Sequence, residues 1–271
     1  MPARKRRSQQ LKPPGGGGKM KVAPGIYRAE SNDEVIYALD CGRVLGLVDV
    51  GSEPALGAKL DELRADGLDT DTIAAVFLTH RHQDHCGGLR RLRQELSPRR
   101  QATLRVVAHR LGIQHLTSCV ASPPIPQELV DYGVDEGDTV EVGEATLQVY
   151  HLPGHTPDSV AWQVGDSLFV GDVIFCDGGI GWMDVHWGSS VPDYRASLER
   201  LLGLKASSIF PGHRECGPIT EQTIEQALAR IKLLAEADGS PLAALGRTAP
   251  RRSSDEPTKI IRLATALSSE S

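Results

Sequence analysis

Short apolar runs separated by turn residues dominate the chain from about residue 22 to residue 238. VIYALD (35–40) and RVLGLVDVG (43–51) predict two paired strands, and the continuous apolar run IAAVFLT (73–79) is typical of a strand buried on both faces. LRVVAHR (104–110) and ASSIFPGH (206–213) predict two more strands. The residues between these predicted strands indicate which elements connect them.

Helical spacing of leucines occurs between the predicted strands. Leu56, Leu60 and Leu63 fall on one face of a helix that Pro54 opens and that ends near Gly67. Further helices are predicted at 89–96, 194–204 and 220–236. The proline-rich stretch 117–133 predicts an irregular loop of the kind that flanks a pocket.

Two strand pairs in series follow residue 139. The runs 139–151 and 159–171 alternate apolar and polar residues, with Gly143-Glu144 and Gly165-Asp166 as predicted hairpin turns. Because these hairpins come after the first set of strands, they predict a second sheet.

The two ends of the chain differ in composition from this central region. Residues 1–21 carry seven basic residues, no acidic residue and the run PPGGGG, which predicts a disordered basic tail. The alternative interpretation of this tail is either an arm that contacts RNA or a nuclear localisation signal. Residues 239–271 lose periodicity and predict a second flexible tail, although residues 260–267 could form a short docking turn. The predicted organisation is thus a single domain over 22–238 between two tails.

Charge and cysteine content narrow the functional classes. The net charge is -5, which gives no global attraction to nucleic acid or anionic membranes, and no apolar run is long enough to span a bilayer. The five cysteines are scattered singly, which argues against a disulfide framework. We therefore expect a soluble cytoplasmic protein, with nucleic acid as a less favoured partner. The oligomeric state is left open.

The segment THRHQDHCGG (79–88) concentrates metal-binding side chains. His80, His82, Asp84 and His85 lie within six positions, directly after the predicted strand 73–79. In an extended loop, alternate residues point the same way, so His80 and His82 can reach one metal while Asp84 and His85 reach a neighbouring point. Cys86 follows them but is interpreted as a small packed residue.

A metal site needs three or four donors, and the rest of the chain supplies three candidates at predicted strand ends. His155 lies in LPGHTPDS, Asp172 in FVGD and His213 in IFPGH. The other four histidines have no such neighbours and are interpreted as packed or surface residues. Distant strand ends that converge would bring these ligands to one edge of the sheets.

The motifs HxHxDH followed by GG, then GHT, GD and PGH, resemble the metallo-β-lactamase superfamily of hydrolases. The resemblance covers about residues 22–235 and implies an α+β fold, an αββα sandwich of two mixed sheets flanked by helices. It also implies two divalent metal ions, with Zn favoured and Fe or Mn as alternatives. His80, His82 and His155 would bind the first ion, Asp84, His85 and His213 the second, and Asp172 would bridge them. Asp49 resembles a residue that orients a ligand histidine.

The chemistry implied by this resemblance is hydrolysis. Two close cations lower the pKa of a bridging water toward about 7, and the resulting hydroxide attacks an electrophilic carbonyl or phosphorus. Asp84 would be the catalytic residue that orients the nucleophile or passes a proton to the leaving group. Trp182, Met183 and Trp187 are candidates for the wall of a substrate pocket.

Within the superfamily, the stretch from Asp172 to His213 resembles glyoxalase II and related thioesterases. We therefore expect a dinuclear hydrolase of an ester, thioester or lactone bond. Two alternatives remain open: a small endoribonuclease or phosphodiesterase, and a mononuclear iron persulfide dioxygenase.

Overall fold

A computed structural model describes residues 20–115, 123–237 and 249–263, in which strands form two seven-stranded sheets. The strands of the first sheet, in spatial order, are β1 (Lys21–Ala23), β2 (Ile26–Ser31), β3 (Glu34–Asp40), β4 (Leu45–Val48), β5 (Ile73–Phe77), β6 (Arg105–His109) and β7 (Tyr132–Val134). In this sheet, β1 to β4 pair antiparallel and β4 to β7 pair parallel.

The strands of the second sheet are β8 (Thr139–Val142), β9 (Ala145–His151), β10 (Val160–Val164), β11 (Ser167–Gly171), β12 (Ser208–Pro211), β13 (Gly217–Pro218) and β14 (Ile260–Leu263). This sheet is also mixed, and its spatial order is β13-β12-β11-β10-β9-β8-β14. Val142 pairs with Ala145 and Val164 pairs with Ser167, which confirms both predicted hairpin turns.

Helices cover the outer faces of both sheets. They are α1 (Glu53–Ala65), α2 (Gln83–Cys86), α3 (Leu89–Glu95), α4 (Pro98–Thr103), α5 (Arg110–Ile113), α6 (Val191–Leu201) and α7 (Glu221–Ala237). One apolar cluster joins the first sheet to α1 and α3, and another joins the second sheet to α6 and α7. A third cluster fills the space between the sheets. The predicted αββα sandwich is confirmed. Among the described residues, no helix has both the length and the apolar content that a bilayer crossing requires.

The core between the sheets fixes the strand that leads into the histidine-rich loop. Trp162 on β10 is fully buried, contacts Phe77 on β5 and donates a hydrogen bond of 3.0 Å from its indole Nε1 to the Leu78 carbonyl. The Val160 amide donates to the Thr79 carbonyl at 2.9 Å. Because both contacts lie within two residues of His80, packing between the sheets controls where that loop begins.

The C-terminal region differs from its prediction. We expected a flexible tail from residue 239, but this is wrong for residues 249–263, since β14 pairs parallel to β8 and extends the second sheet. Arg252 forms a buried ion pair of 2.7 Å with Asp138, and Leu263 turns into the core. Charge pairing that the local apolar pattern does not reveal thus holds this segment. Residues 239–248 and 264–271 lie outside the described residues.

Two further boundaries also change. Lys21 belongs to β1 and not to a tail, whereas residues 1–19 lie outside the described residues, so the basic tail stays a prediction for them. The predicted irregular loop 117–133 includes a single 3₁₀ turn, Gln127–Leu129, and the edge strand β7, while residues 116–122 are not described. A three-residue strand is too short to produce a readable alternation.

The Arg252–Asp138 pair generates a stability prediction. Arg252→Ala leaves the fully buried Asp138 carboxylate without its cation, so we expect the free energy of unfolding to fall by about 3 kcal/mol. Arg262→Ala is the matched control, because Arg262 pairs with Glu141 on the same segment with an exposed side chain, and its loss should cost under about 1 kcal/mol. Urea denaturation measures both values. Equal losses in the two variants would contradict the assignment.

Candidate metal centre

The histidine-rich loop begins where β5 ends and turns directly into a helix. His82 is the extended residue before α2, so Asp84 and His85 lie in a helical turn. We expected an extended loop through residue 85, which is wrong for residues 83–86. His80 and His82 precede this helical turn, whereas Asp84 and His85 lie within it. The change from extended to helical backbone directs the two pairs of side chains to different points.

Three histidine nitrogens meet in the first cluster. His155 Nε2 lies 3.2 Å from His80 Nε2 and 3.0 Å from His82 Nδ1, and the latter two atoms are 3.1 Å apart. Tetrahedral Zn with bonds of about 2.0–2.1 Å separates its ligand nitrogens by roughly 3.3 Å. The spacing of the three nitrogens therefore fits one face of such a site.

Hydrogen bonds on the far side of two rings orient their ligand nitrogens. His155 Nδ1 lies 2.7 Å from the Trp182 carbonyl, so it carries the proton and leaves Nε2 bare toward the cluster. His213 Nδ1 lies 2.5 Å from the Asp33 carbonyl, which directs its Nε2 toward Asp84, 3.3 Å away. A backbone acceptor of this kind fixes both the tautomer and the ring orientation of a ligand histidine.

The second cluster contains Asp84, His85 and His213, whose donor atoms all lie within 4.8 Å of one another. Asp172 lies between the clusters. Its Oδ1 is 3.5 Å from His85 Nε2, and its Oδ2 is 3.7 Å from His155 Nε2 and 3.6 Å from His213 Nε2. One carboxylate thus faces donor atoms of both clusters.

Asp49 supports the second cluster from beneath. Its Oδ2 lies 2.8 Å from His85 Nδ1, and it accepts hydrogen bonds from the Thr79 amide and hydroxyl at 2.8 and 2.7 Å. The Asp49 backbone has φ 58°, in the left-handed region that is uncommon for a non-glycine residue. The predicted orienting role of Asp49 agrees with these contacts to His85.

The two clusters differ in charge when no metal is bound. Burial, followed by the charge of neighbouring histidines, lowers the pKa of His82 to about 2 and also lowers the pKa of His80. Burial opposes protonation of His85, but the carboxylates of Asp172 and Asp49 raise its pKa to about 10. Burial likewise opposes the charged form of His213, but Asp84 and Asp172 raise its pKa. These shifts favour the neutral form of the histidines in the first cluster and the protonated form in the second.

Two observations test whether these residues suit divalent cations. The buried atoms His85 Nε2 and Asp172 Oδ1 have no hydrogen-bond partner among the described residues, and each points into the second cluster. A Cβ on Gly212 would come within 2.3 Å of the His85 ring, so the chain there must lack a side chain for the ring to fit. Imidazole and carboxylate donors suit Zn, Fe and Mn. The residues therefore fit the implied metals.

A cavity of about 650 Å³ opens over both clusters. Trp182 and Trp187 line it, as predicted, and the Trp187 ring lies 4.9 Å from the His82 ring. Met183 does not line it and instead packs beside the core of the second sheet. Arg214 also lines the cavity, a residue that the sequence pattern did not identify. A larger groove of about 820 Å³ lies between α6 and α7, away from the histidines.

The remaining predicted residues are accounted for outside the clusters. Cys86 is buried, lies 3.2 Å from the Arg81 carbonyl and belongs to none of the candidate metal groups. His109 and His151, interpreted as packed or surface residues, are buried and stack on each other with ring centroids 4.1 Å apart, and His109 lies 3.4 Å from Asp135. Only the packing of β6 against β9 brings these rings together, so no sequence spacing indicates the pair.

Comparison with known proteins identifies the family. A profile described as the Metallo-beta-lactamase superfamily matches residues 35–213, which is more than half of the chain. The chain is 29% identical over 208 residues to a beta-lactamase-like protein 2 homolog of Caenorhabditis elegans, covering 75% of the chain and 61% of that protein. It is 32% identical over 154 residues to a hydroxyacylglutathione hydrolase of Aeromonas salmonicida, covering 57% and 51%.

A third relative is named as an acyl-coenzyme A thioesterase. This protein of Gallus gallus is 30% identical over 166 residues, covering 55% of the chain and 58% of the relative. The chain therefore spans about half to three fifths of the length of these relatives. Among solved structures, a B3 metallo-beta-lactamase superposes with a TM-score of 0.62 at 20% identity, covering 78% of this chain and 86% of that chain. This likeness supports the fold.

The charge difference between the clusters predicts how metal binding depends on pH. A cation at the second cluster must compete with protons, because the pKa values of His85 and His213 are raised, whereas the pKa values of the first cluster's histidines are lowered. The affinity of the second cluster for added Zn should therefore rise as pH increases from 6 to 9, because proton competition weakens toward the His85 pKa of about 10. The affinity of the first cluster for added Zn should stay nearly constant. Calorimetric titration in buffers of different ionisation enthalpy measures the protons released. Equal proton release in both steps would contradict the assignment.

Proposed function

Because the chain belongs to the metallo-β-lactamase superfamily, we propose that it is a dinuclear metal-dependent hydrolase that cleaves an ester, thioester or lactone bond of a small molecule. The observation that carries this proposal is the presence of two donor clusters that share Asp172. A mononuclear iron site would not need the complete second cluster of Asp84, His85 and His213. The presence of this cluster therefore favours a hydrolase over the dioxygenase alternative.

The proposed ligand assignment follows the two clusters. His80, His82 and His155 would hold the first ion. The second ion would be held by Asp84, His85 and His213, and Asp172 would lie between the ions. Zn is the favoured metal, since the tight spacing of the three imidazole nitrogens suits tetrahedral coordination.

The chemistry of the site divides between the ions and the chain. When bound, a pair of divalent cations acidifies a water molecule and polarises the substrate carbonyl. Asp84 lies at the start of α2 with a side chain that is 42% exposed, and its Oδ2 is 3.3 Å from His213 Nε2. Burial disfavours its charge, but the hydrogen bond from His213 keeps the pKa of Asp84 below its usual range. An ionised carboxylate at the cavity wall can accept a proton from water and return it to a leaving group.

Thioesters are the first substrates to test. The hydroxyacylglutathione hydrolase and the acyl-coenzyme A thioesterase act, by their names, on acyl groups that are attached through sulfur. Two relatives with different thiol carriers support the acyl-sulfur bond and not a particular thiol. A cavity of about 650 Å³ is large enough for a small acyl group with part of its carrier.

Asp84→Ala tests the proposed role of this carboxylate. The protein is loaded with excess Zn and offered thioester, lactone, aryl ester and phosphodiester substrates. We expect kcat for the preferred carbonyl substrate to fall by at least about a hundredfold, because the group that transfers the proton is gone. The unfolding free energy should stay close to that of the wild type, since the Asp84 side chain is partly exposed.

Asp61→Ala is the matched control for this change. Asp61 is a surface carboxylate on α1 that is 76% exposed and pairs with Arg64, so its removal should leave kcat unchanged. Unchanged turnover of Asp84→Ala would remove the proposed role of Asp84. Cleavage of the phosphodiester alone would replace the carbonyl hydrolase with the nuclease alternative.

A further inference from the structure

Arg214 follows His213 directly and contributes a cation to the wall of the catalytic cavity. Its backbone has φ 65°, a conformation that non-glycine residues rarely adopt. Arg28 on β2 donates a hydrogen bond of 2.9 Å to the Arg214 carbonyl, which helps to fix this conformation. Unusual backbone conformations of this kind concentrate at functional sites and are held by their surroundings.

The loop after Asp172 holds the guanidinium in a defined position. The Arg214 Cζ lies 4.6 Å from the centre of the Phe175 ring, and Nη1 lies 2.9 and 3.1 Å from the two carboxylate oxygens of Asp177. A Cβ on Gly179 would come within 2.7 Å of Nη1, so this glycine leaves room for the guanidinium. Three residues of one loop therefore orient a side chain that comes from another.

The hydrogen bonds leave one edge of this guanidinium free. Within the described residues, all of its side-chain hydrogen bonds use Nη1, so Nε and Nη2 have no protein acceptor there. These two atoms form the planar fork that binds a carboxylate or phosphate through two parallel hydrogen bonds. Arg214 is 53% exposed at its side chain, so a ligand can reach it.

Aromatic side chains also line the cavity. Trp187 contacts His82 of the first cluster, and Trp182, which is 73% exposed, lines the same cavity. Arg214 instead adjoins His213 of the second cluster and is paired with Asp177. The cavity thus offers tryptophan surface beside the first cluster and a guanidinium beside the second.

We propose that Arg214 binds an anionic group of the substrate, a carboxylate or a phosphate, and so determines specificity at the second-cluster end of the cavity. The apolar part of the substrate lies toward Trp182 and Trp187, and the scissile bond lies between the two ends. This inference rests on the proposed hydrolase function and adds the substrate class to it.

The test compares S-butyryl esters of three thiols that differ in charge. N-acetylcysteamine is neutral, mercaptopropionate carries a carboxylate, and phosphopantetheine carries a phosphate, so the two anionic arms separate the two sources of charge. In Arg214→Gln we expect KM for at least one anionic ester to rise about tenfold, which is the effect of losing a charged hydrogen-bond pair worth about 1.4 kcal/mol. The kcat of that ester and both constants of the neutral ester should stay within about twofold.

Two further variants separate anion binding from a structural effect. Gly179→Ala keeps Arg214 but crowds its Nη1, and it should raise KM for the same anionic ester selectively. Arg195→Gln is the matched control, because Arg195 is an exposed arginine on α6 that pairs with Glu199 and borders the distant groove, so all constants should be unchanged.

The outcomes distinguish this inference from the proposed function. If the wild type hydrolyses the esters but Arg214→Gln changes no anionic KM, or raises the neutral KM equally, the assignment of Arg214 is wrong while the hydrolase proposal stands. If the Zn-loaded wild type hydrolyses none of them, the proposed thioester activity fails. Calorimetric binding of the non-hydrolysable thioether S-butyl mercaptopropionate, compared between wild type and Arg214→Gln, then tests the anion site directly, and equal binding overturns it.

Discussion

The close approach of uncharged imidazole nitrogens is the constraint on which the site depends. Three bare nitrogens at 3.0–3.2 Å from one another gain nothing in the absence of a cation, because their lone pairs point at a common centre. The fold must therefore hold them in place against their own tendency to separate. It does so by taking the three residues from the ends of strands in two sheets whose shared core is fully buried. Trp162 joins that core to the start of the ligand loop.

Asp49 extends this constraint to the second cluster. Its carboxylate holds Thr79 and His85 together, so the first residue of the loop and the last ligand of its helical turn share one buried acceptor. A displacement of β4 would thus move both clusters at once. The left-handed backbone of Asp49 turns the chain so that this carboxylate lies under the ligands. The ends of β4 and β5 therefore hold the donor side chains in place, and the packing of the helices contributes indirectly.

Local patterns in the sequence predicted most of this architecture. The strand before residue 80, both hairpin turns and the leucine face of α1 follow from periodicity and turn chemistry, which act within a few residues. The ligand residues were recognisable because their types and order match a family. Features that depend on charge pairing between distant residues were not predictable in this way. Examples are the Arg252–Asp138 pair that holds the segment of β14, and the pair that Asp177 forms with Arg214 beside the cavity. Nothing in the spacing of these residues indicates that they meet.

The same limitation explains why the sequence pattern identifies His213 but does not identify Arg214, which follows it. The histidines and aspartates form a motif because a metal site requires several donors in a fixed arrangement, whereas the proposed anion site requires only one cation at the correct place. The loop from Asp172 to Gly181 helps to set that place, because it brings Asp177, Gly179 and Phe175 to the guanidinium. Proteins that share the catalytic motif can therefore differ in substrate while their metal ligands stay constant, since the loop and the ligand set answer to different constraints. In the proposed function, the residues at the strand ends and in α2 act on the bond, and the loop from Asp172 to Gly181 selects the molecule.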